Sequence, residues 1–222
     1  MSRVTGSHLI CRALKLEGVK NIFALAGDHI LPLLDVMTDQ DFRIIDTRHE
    51  QAAVHMADAW GRITEQPGVC MYTTPGFANA IPGLTNAAHS ESPVLSIAGC
   101  ADMHDLGRGA QQEIDQVGMA GPMTKGSFMV HDARRIPEFI ARALRLAFSG
   151  RRGPVHLTIP IDVQEQSVEE DESLFVQPDA YRPKASILAD PEHVRQAIGL
   201  LREAKRPLVL AGSAAGYTLS GE

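Results

Sequence analysis

Apolar residues recur along this chain with two spacings, one typical of helices and one typical of strands. Leu9, Ile10 and Leu14 follow a helical spacing that ends at Gly18, and a β-rich run over residues 21–25 comes next. Further elements are predicted in this order: a helix from about residue 30, strand 43–46, a helix from about residue 50, strand 69–73, a helix from about residue 77, strand 94–98, helix 136–148 and strand 155–159. Strands that alternate with helices form parallel β–α–β units, so we predict an α/β fold, a three-layer sandwich with a central parallel sheet.

The same pattern divides the chain into three parts. Residues 1–165 contain the predicted sheet, and residues 166–188 are rich in acids, Ser, Gln and Pro without apolar periodicity, which is typical of an interdomain linker on the surface. Residues 189–222 begin with a helix over 191–204 and a strand over 207–211, the first αβ step of a second, truncated open-sheet domain. Because a lone αβ step cannot bury both its faces, we expect it to pack on the first domain, exchange with a neighbouring chain or be mobile.

Composition narrows the class of protein. The net charge of −6 over 222 residues leaves no excess of cations for phosphates, so a nucleic-acid partner is not expected. The apolar runs are short and interrupted, which predicts neither a signal peptide nor a membrane span. The three widely spaced cysteines include no CxxC pair, which argues against a disulfide framework and a zinc site. These features favour a cytoplasmic protein that binds a small molecule.

The first candidate for chemistry is Glu50, where a predicted strand ends and a helix begins. In open parallel sheets, ligands bind at the carboxyl ends of the strands. The helix that follows, over residues 53–62, is mostly small and apolar, so a carboxylate at its start would be partly screened from water and would face backbone N–H groups. The alternative is a first-turn acid that only complements the helix dipole.

A second strand-to-helix junction covers residues 73–79, with a proline near the first turn and Gly76, which lets another group approach closely. Alone, this segment is an ordinary helix start. His49 is interpreted as a structural neighbour of Glu50, and His29 and His89 as satisfied histidines. The sequence contains no metal-ligand triad, no P-loop and no GxGxxG fingerprint, so we predict no metal ligands in this chain and no dinucleotide site.

Taken together, these segments resemble the pyrimidine-binding domain of thiamine-diphosphate enzymes, in the group of acetolactate synthase, benzoylformate decarboxylase and oxalyl-CoA decarboxylase. The segments that carry the resemblance are, in chain order, FALAGD at 23–28, RHEQAA at 48–53, TPGFAN at 74–79, QQE at 111–113 and PIDV at 160–163. Residues 201–212 are similar to the opening of the family's central domain. Each motif is weak alone, but five in the right order are a strong signal.

The resemblance implies a pyrimidine-domain fold and a set of site residues. These are the catalytic residues Glu50 and Gln112 and the cofactor-binding residues Leu25, Ala26, Glu50, Pro75 and Asn79. Glu50 would hydrogen-bond N1′ of the aminopyrimidine and favour its imino tautomer, while Gln112 would approach the reacting carbonyl. For Gln112, a solvated loop glutamine is the alternative.

The resemblance also implies cofactors and partners. Thiamine diphosphate would act on a 2-oxo acid, and the diphosphate and Mg²⁺ would be held by a separate C-terminal domain with a GDG…N motif, which this sequence lacks. The site would form in a homo-oligomer, a dimer or tetramer, or with a partner chain that carries the diphosphate domain. The chain alone would therefore be inactive. Whether FAD is bound, and whether the enzyme is a decarboxylase or a carboligase, stay open.

Four residues depart from the family pattern. Ala24 and Ala26 stand where Gly and Pro are usual, and Thr74 stands where Gly is usual, so added Cβ atoms narrow the approach to the backbone. Gln111 replaces the usual Phe, which predicts a substrate preference different from that of acetolactate synthase. These departures also leave a second hypothesis, a non-catalytic pyrimidine-fold subunit that binds or regulates.

Overall fold

The computed structural model describes residues 3–182, 189–212 and 215, and the chain divides into two compact units, Met1–Arg182 and Pro183–Glu222. The strands are β1 Arg3–Thr5, β2 Asn21–Ala24, β3 Arg43–Asp46, β4 Gly68–Tyr72, β5 Val94–Cys100, β6 Ser127–Met129, β7 Val155–Pro160 and β8 Ser167–Glu169. The helices are α1 Gly6–Leu16, α2 Leu31–Thr38, α3 Glu50–Thr64, α4 Gly76–His89, α5 Gln116–Ala120, α6 Ile136–Phe148, α7 Ile161–Glu165 and α8 Pro191–Glu203.

Six strands form the central sheet in the order β3-β2-β4-β5-β7-β6, and every neighbouring pair is parallel. The predicted α/β class and parallel sheet are confirmed. Every residue of β4, β5 and β7 is buried, as expected for strands covered on both faces. Strand β3 lies at one edge, so α3, which follows it, begins beside the ends of β2 and β4.

Helices cover both faces of the sheet. Helices α1 and α6 pack on one face, over a core that includes Leu14, Ile97 and Leu144. Helices α3 and α4 pack together on the other face through small residues, because a Cβ on Gly83 would lie only 2.7 Å from Cβ of Val54. The close pairing of these two helices brings their N-terminal turns together at the carboxyl edge of the sheet.

The elements that the apolar pattern missed are short. Strands β1, β6 and β8 have three residues each, and α5 and α7 have five residues each, so none of them spans enough periods for the pattern to be recognised. Their positions depend on contacts with distant parts of the chain. Strand β8, for example, pairs antiparallel with β1.

Residues 166–182, which the pattern predicted as part of the linker, belong to the first unit. Arg12 in α1 donates a hydrogen bond of 2.8 Å to Glu170 and also pairs with Glu172. At the end of this segment, Arg182 pairs with the buried Glu17. Burial raises the pKa of the Glu17 carboxyl to about 7, and the charge of Arg182 acts in the opposite direction. Residues 183–188 lie outside the described part of the chain.

The second unit contains α8, whose N-terminus is capped by the Asp190 carboxylate. The predicted helix is confirmed, but the predicted strand over residues 207–211 is not formed, and Leu208 and Leu210 are exposed. A strand needs a neighbour for its hydrogen bonds, and the described residues of this unit contain no second strand. Predictions for residues 213–214 and 216–222 fall outside the described residues. Within the described chain, no helix combines the length and apolarity that a membrane crossing requires.

Candidate functional site

Glu50 is the first residue of α3, and its side chain is directed into the protein. The residue is only 8% exposed. The ring of His49 caps the helix by accepting a hydrogen bond of 3.2 Å from the backbone N–H of Gln51. This contact agrees with the interpretation of His49 as a structural neighbour of Glu50. The carboxylate therefore lies at a helix N-terminus, where the partial positive charge of the free N–H groups favours an anion.

The turn before α3 is fixed to the neighbouring strand by Thr47. The backbone N–H of this buried threonine donates to the carbonyl of Ala24 at 2.9 Å, and its hydroxyl is within 3.2 Å of the same carbonyl and of the His49 carbonyl. Sequence reasoning missed Thr47. A threonine between a predicted strand end and a predicted helix start was the available signal, because such residues commonly hydrogen-bond backbone groups.

Helix α4 approaches the Glu50 carboxylate at two points. The side-chain amide of Asn79 donates a hydrogen bond of 3.0 Å to Oε2 of Glu50. At Gly76, an added Cβ would lie 2.1 Å from Oε1 of Glu50, so only glycine leaves room for this oxygen. The sequence predicted that Gly76 would admit a close neighbour, and the neighbour is the candidate catalytic carboxylate.

The loop that carries Gln112 is attached to the start of α4. The peptide bond between Thr74 and Pro75 is cis, and the buried Thr74 hydroxyl donates a hydrogen bond of 2.7 Å to the carbonyl of Gln112. Gln112 has a positive φ of 58°, and its side chain is exposed. Thr74, which departs from the glycine usual in the family, thus supplies a contact that glycine could not make.

Leu25 and Ala26 follow β2 at the same edge of the sheet. Leu25 is half-buried and its backbone N–H donates to the carbonyl of Met71 at 3.1 Å, while Ala26 is exposed. The loop then turns back toward β4, where the ring of His29 hydrogen-bonds the Thr73 hydroxyl at 2.7 Å. The predicted cofactor-binding residues therefore follow β2, β3 and β4, which are neighbours in the sheet, and Gln112 lies on the loop after β5. A direct side-chain hydrogen bond joins Glu50 and Asn79.

A chain of buried polar side chains crosses the sheet below α4, and sequence reasoning missed it. The chain runs from Tyr72 through Ser96, His156 and Thr158 to Gln116, with distances of 2.9–3.0 Å in its last three bonds. The signal was polar residues inside fully buried strands, since such groups need partners.

Two of these groups are held neutral by burial. Burial lowers the pKa of His156 from 6.5 to about 3. Burial also raises the pKa of Tyr72 well above its ordinary value, with the charges of Cys70 and Glu50 acting in the same direction. His156 packs against Phe77, with ring centroids 4.5 Å apart, so the neutral chain supports the first turn of α4.

One group among the described residues has metal-ligating atoms close together. The ligand atoms of Asp102, His104 and Asp105 all lie within 4.8 Å of one another on the loop after β5. His104 is exposed, and exposed acidic groups commonly cluster without an ion. We therefore assign no metal site to this group.

Comparison with known proteins identifies the family. The family described as "Thiamine pyrophosphate enzyme, N-terminal TPP binding domain" matches residues 4–119, which is more than half of the chain. This chain belongs to the thiamine pyrophosphate enzymes. Thiamine pyrophosphate is thiamine diphosphate, so the resemblance found in the motifs is confirmed.

Relatives of this thiamine pyrophosphate enzyme domain match almost all of the chain. This chain is 38% identical over 220 residues to a probable acetolactate synthase large subunit of Methanocaldococcus jannaschii. It is 34% identical over 220 residues to an oxalyl-CoA decarboxylase of Escherichia coli K12 and 33% identical over 219 residues to a 2-hydroxyacyl-CoA lyase of Arabidopsis thaliana. These matches cover 97–98% of this chain and 36%, 39% and 38% of the relatives. The chain thus spans just over a third of their length.

The site of this thiamine pyrophosphate enzyme domain suits an aminopyrimidine ring. A carboxylate can exchange a proton with a ring nitrogen when one of its oxygens is within hydrogen-bond reach of that nitrogen. Glu50 supplies the carboxylate, and Gly76 leaves room for its Oε1. Within the described chain, Oε1 of Glu50 has no hydrogen-bond partner, whereas Oε2 is bonded to Asn79.

Proposed function

We propose that this chain is the aminopyrimidine-binding part of a thiamine-diphosphate-dependent 2-oxo acid decarboxylase or carboligase of the acetolactate synthase type, with Glu50 as its catalytic carboxylate. The observation that carries the proposal is the buried Glu50 carboxylate at the start of α3, whose Oε1 packs against Gly76 while Oε2 accepts a hydrogen bond from Asn79. When bound, thiamine diphosphate supplies a carbon nucleophile that attacks a carbonyl and then accepts the electrons released with CO₂.

The residues of this chain bind the ring and move a proton. Glu50 exchanges a proton with N1′ of the aminopyrimidine through Oε1, which makes the exocyclic nitrogen basic. Leu25 and Ala26 would line the aminopyrimidine pocket, and Pro75 and Asn79 would shape the floor of the site. Gln112 approaches the reacting carbonyl. The hydrogen bond from Thr74 to the backbone carbonyl of Gln112 supports this role, because it fixes the backbone from which the exposed Gln112 side chain extends.

The remaining components of the proposed enzyme come from outside this chain. The diphosphate and Mg²⁺ bind a separate domain, supplied by the same polypeptide in a homo-oligomer or by a partner chain in the cytoplasm. FAD is a further candidate cofactor. Without these contacts, the chain alone binds the cofactor weakly and is inactive.

The substrate class follows from the relatives and from one departure. Relatives are named acetolactate synthase, oxalyl-CoA decarboxylase and 2-hydroxyacyl-CoA lyase, so pyruvate and oxalyl-CoA are the first substrates to compare. Gln111 is exposed and polar where the family usually has Phe, which supports a preference for a substrate more polar than pyruvate.

Glu50→Gln tests this proposal in the enzyme assembled with a diphosphate-binding domain. The amide keeps the shape but cannot exchange the proton, so we expect kcat to fall by about 10²- to 10⁴-fold. Glu138→Gln is the matched control, because Glu138 is also a first-turn helix acid but pairs with Arg135 on the surface. Release of CO₂ from each substrate is measured. Unchanged turnover in Glu50→Gln would contradict catalysis by Glu50 and favour a non-catalytic binding subunit.

A further inference from the structure

The two oxygens of the Glu50 carboxylate have different environments. Oε2 accepts the hydrogen bond from the amide of Asn79, and Oε1 faces the bare Cα of Gly76. Asn79 lies three residues after Gly76 in α4, so both contacts come from one helical turn. The carboxylate is therefore held in one orientation by a helix other than its own.

The chemistry of the amide fixes which oxygen can exchange a proton. The Nδ2 group of Asn79 can only donate, and a protonated Oε2 would be a weaker acceptor for it, so the bond disfavours a proton on Oε2. Hydrogen bonds to an ionised acceptor are stronger than neutral ones, so the contact holds Oε2 as the unprotonated oxygen. A proton shared with a ring nitrogen is therefore favoured on Oε1.

We propose that Asn79 is a positioning residue that reserves Oε2 of Glu50 and presents Oε1 to the ring nitrogen of the cofactor. This inference rests on the proposed function and adds a role for Asn79 beyond lining the site. Asn79 is exposed, so its amide is not required to fill the core. The bond instead spans α3 and α4 at the point where the two helices begin.

The same pair of helices provides a matched control. Asn86 in α4 is also exposed, and its side-chain amide donates a hydrogen bond of 2.7 Å to Oδ2 of the buried Asp58 in α3. It is the same kind of bond between the same helices, two turns further along. If these amides only join the two helices, Asn79→Ala and Asn86→Ala should change the orientation of Glu50 equally. If Asn79 positions Glu50, only Asn79→Ala should change that orientation.

The first measurement needs no cofactor. In the 222-residue chain labelled with ¹³C in glutamate side chains, NMR couplings to the Glu50 carboxyl carbon report whether one rotamer is populated. We expect a single Glu50 rotamer in the unsubstituted chain, in Asn86→Ala and in Asn79→Gln, whose longer side chain still carries the amide. In Asn79→Ala we expect couplings averaged over several Glu50 rotamers. Asn79→Asp, which keeps the shape but places an oxygen against Oε2, should displace Glu50 and serves if Asn79→Ala does not fold.

The second measurement separates positioning from binding. In the enzyme assembled with a diphosphate-binding domain, at saturating thiamine diphosphate, we expect Asn79→Ala to slow hydrogen exchange at C2 of the bound cofactor by about tenfold or more. The dissociation constant for thiamine diphosphate should change by less than about threefold, because the diphosphate contacts carry most of the binding.

The outcomes distinguish this inference from the proposed function. A single, unchanged Glu50 rotamer in both Asn79→Ala and Asn79→Asp would overturn the positioning role, whatever the enzyme does. Equal effects of Asn79→Ala and Asn86→Ala on the rotamer would overturn it too. If the rotamer responds as expected but Glu50→Gln leaves C2 exchange unchanged, the proposed function fails and the geometric role of Asn79 stands.

Discussion

At the scale of single residues, two glycines of α4, Gly76 and Gly83, allow close contacts of different kinds. A Cβ at Gly76 would meet the end of a flexible side chain, Oε1 of Glu50, at 2.1 Å. A Cβ at Gly83, in the same helix, would instead meet the branched carbon of Val54 at 2.7 Å, which cannot swing away. Substitution of Gly76 therefore tests the effect of displacing Glu50 on activity, and substitution of Gly83 tests the effect of disturbed core packing on stability.

Substituting these two glycines by alanine should give opposite patterns. We expect Gly76→Ala to displace Glu50 at little cost in stability and to lower kcat of the assembled enzyme by at least about tenfold. Gly83→Ala overpacks the contact between α3 and α4, and we expect it to lower the free energy of unfolding by about 1–3 kcal/mol with kcat little changed in the folded fraction. Urea unfolding and steady-state kinetics measure the two effects. Full activity of Gly76→Ala would mean that the position of Oε1 is unimportant.

At the scale of elements, the central strands carry a buried polar layer that depends on a neutral histidine. His156 lies in β7 with both ring nitrogens hydrogen-bonded, one to Ser96 in β5 and one to Thr158. Its pKa in the folded protein is lowered to about 3 by burial, against 6.5 ordinarily. Between these two values the unfolded chain binds more protons at this residue than the folded chain, so folding loses stability as the pH falls.

The expected outcome is an acid-dependent loss of stability that disappears with His156. Between pH 7.5 and 4.5 the histidine should contribute a loss of about 2–3 kcal/mol to the free energy of unfolding. His156→Gln should be less stable at pH 7.5 but should lose correspondingly less on acidification. His131→Gln, which changes an exposed histidine, is the control and should follow the unsubstituted chain. Equal pH profiles for His156→Gln and the unsubstituted chain would refute the neutral state of His156. Urea unfolding at each pH measures these differences.

Elements were predictable from sequence where a local pattern is long enough to be read. Helix α6 and strand β3 lie where the apolar spacing put them, and Glu50 lies at the start of α3 because a strand end and a helix start are local features. The bond from Asn79 joins residues 29 positions apart, and the bond from Ser96 to His156 joins residues 60 positions apart. Contacts of this kind depend on how α4 and β7 pack, which no local pattern specifies.

The strand predicted over residues 207–211 illustrates the opposite case. Its sequence, PLVLA, has the composition of a buried parallel strand. Composition alone does not make a strand, because the backbone groups need a neighbouring strand, and the described residues of the second unit contain none. Strands β2 and β4 form in the first unit because each lies between two others.

At the scale of the whole molecule, the chain spans just over a third of the length of its relatives, and its site carries one half of the proposed chemistry. In the proposed function, Glu50, Gly76 and Asn79 contact the aminopyrimidine ring. A diphosphate carries several negative charges, and binding it requires cations or a metal ion with oxygen ligands. In the proposed enzyme, those groups belong to another domain, so proton transfer and cofactor anchoring are separated between two surfaces.

This division predicts how activity depends on assembly. The 222-residue chain, supplied with thiamine diphosphate and Mg²⁺, should release no measurable CO₂ from pyruvate or oxalyl-CoA, because the ring contacts alone hold the cofactor weakly. Calorimetry should give much weaker cofactor binding to the chain than to the assembled enzyme. Adding a diphosphate-binding domain to the chain should produce turnover. The same mixture made with the Glu50→Gln chain should show none. Turnover by the chain alone that is lost in Glu50→Gln would contradict the division, since the chain would then hold the whole cofactor itself.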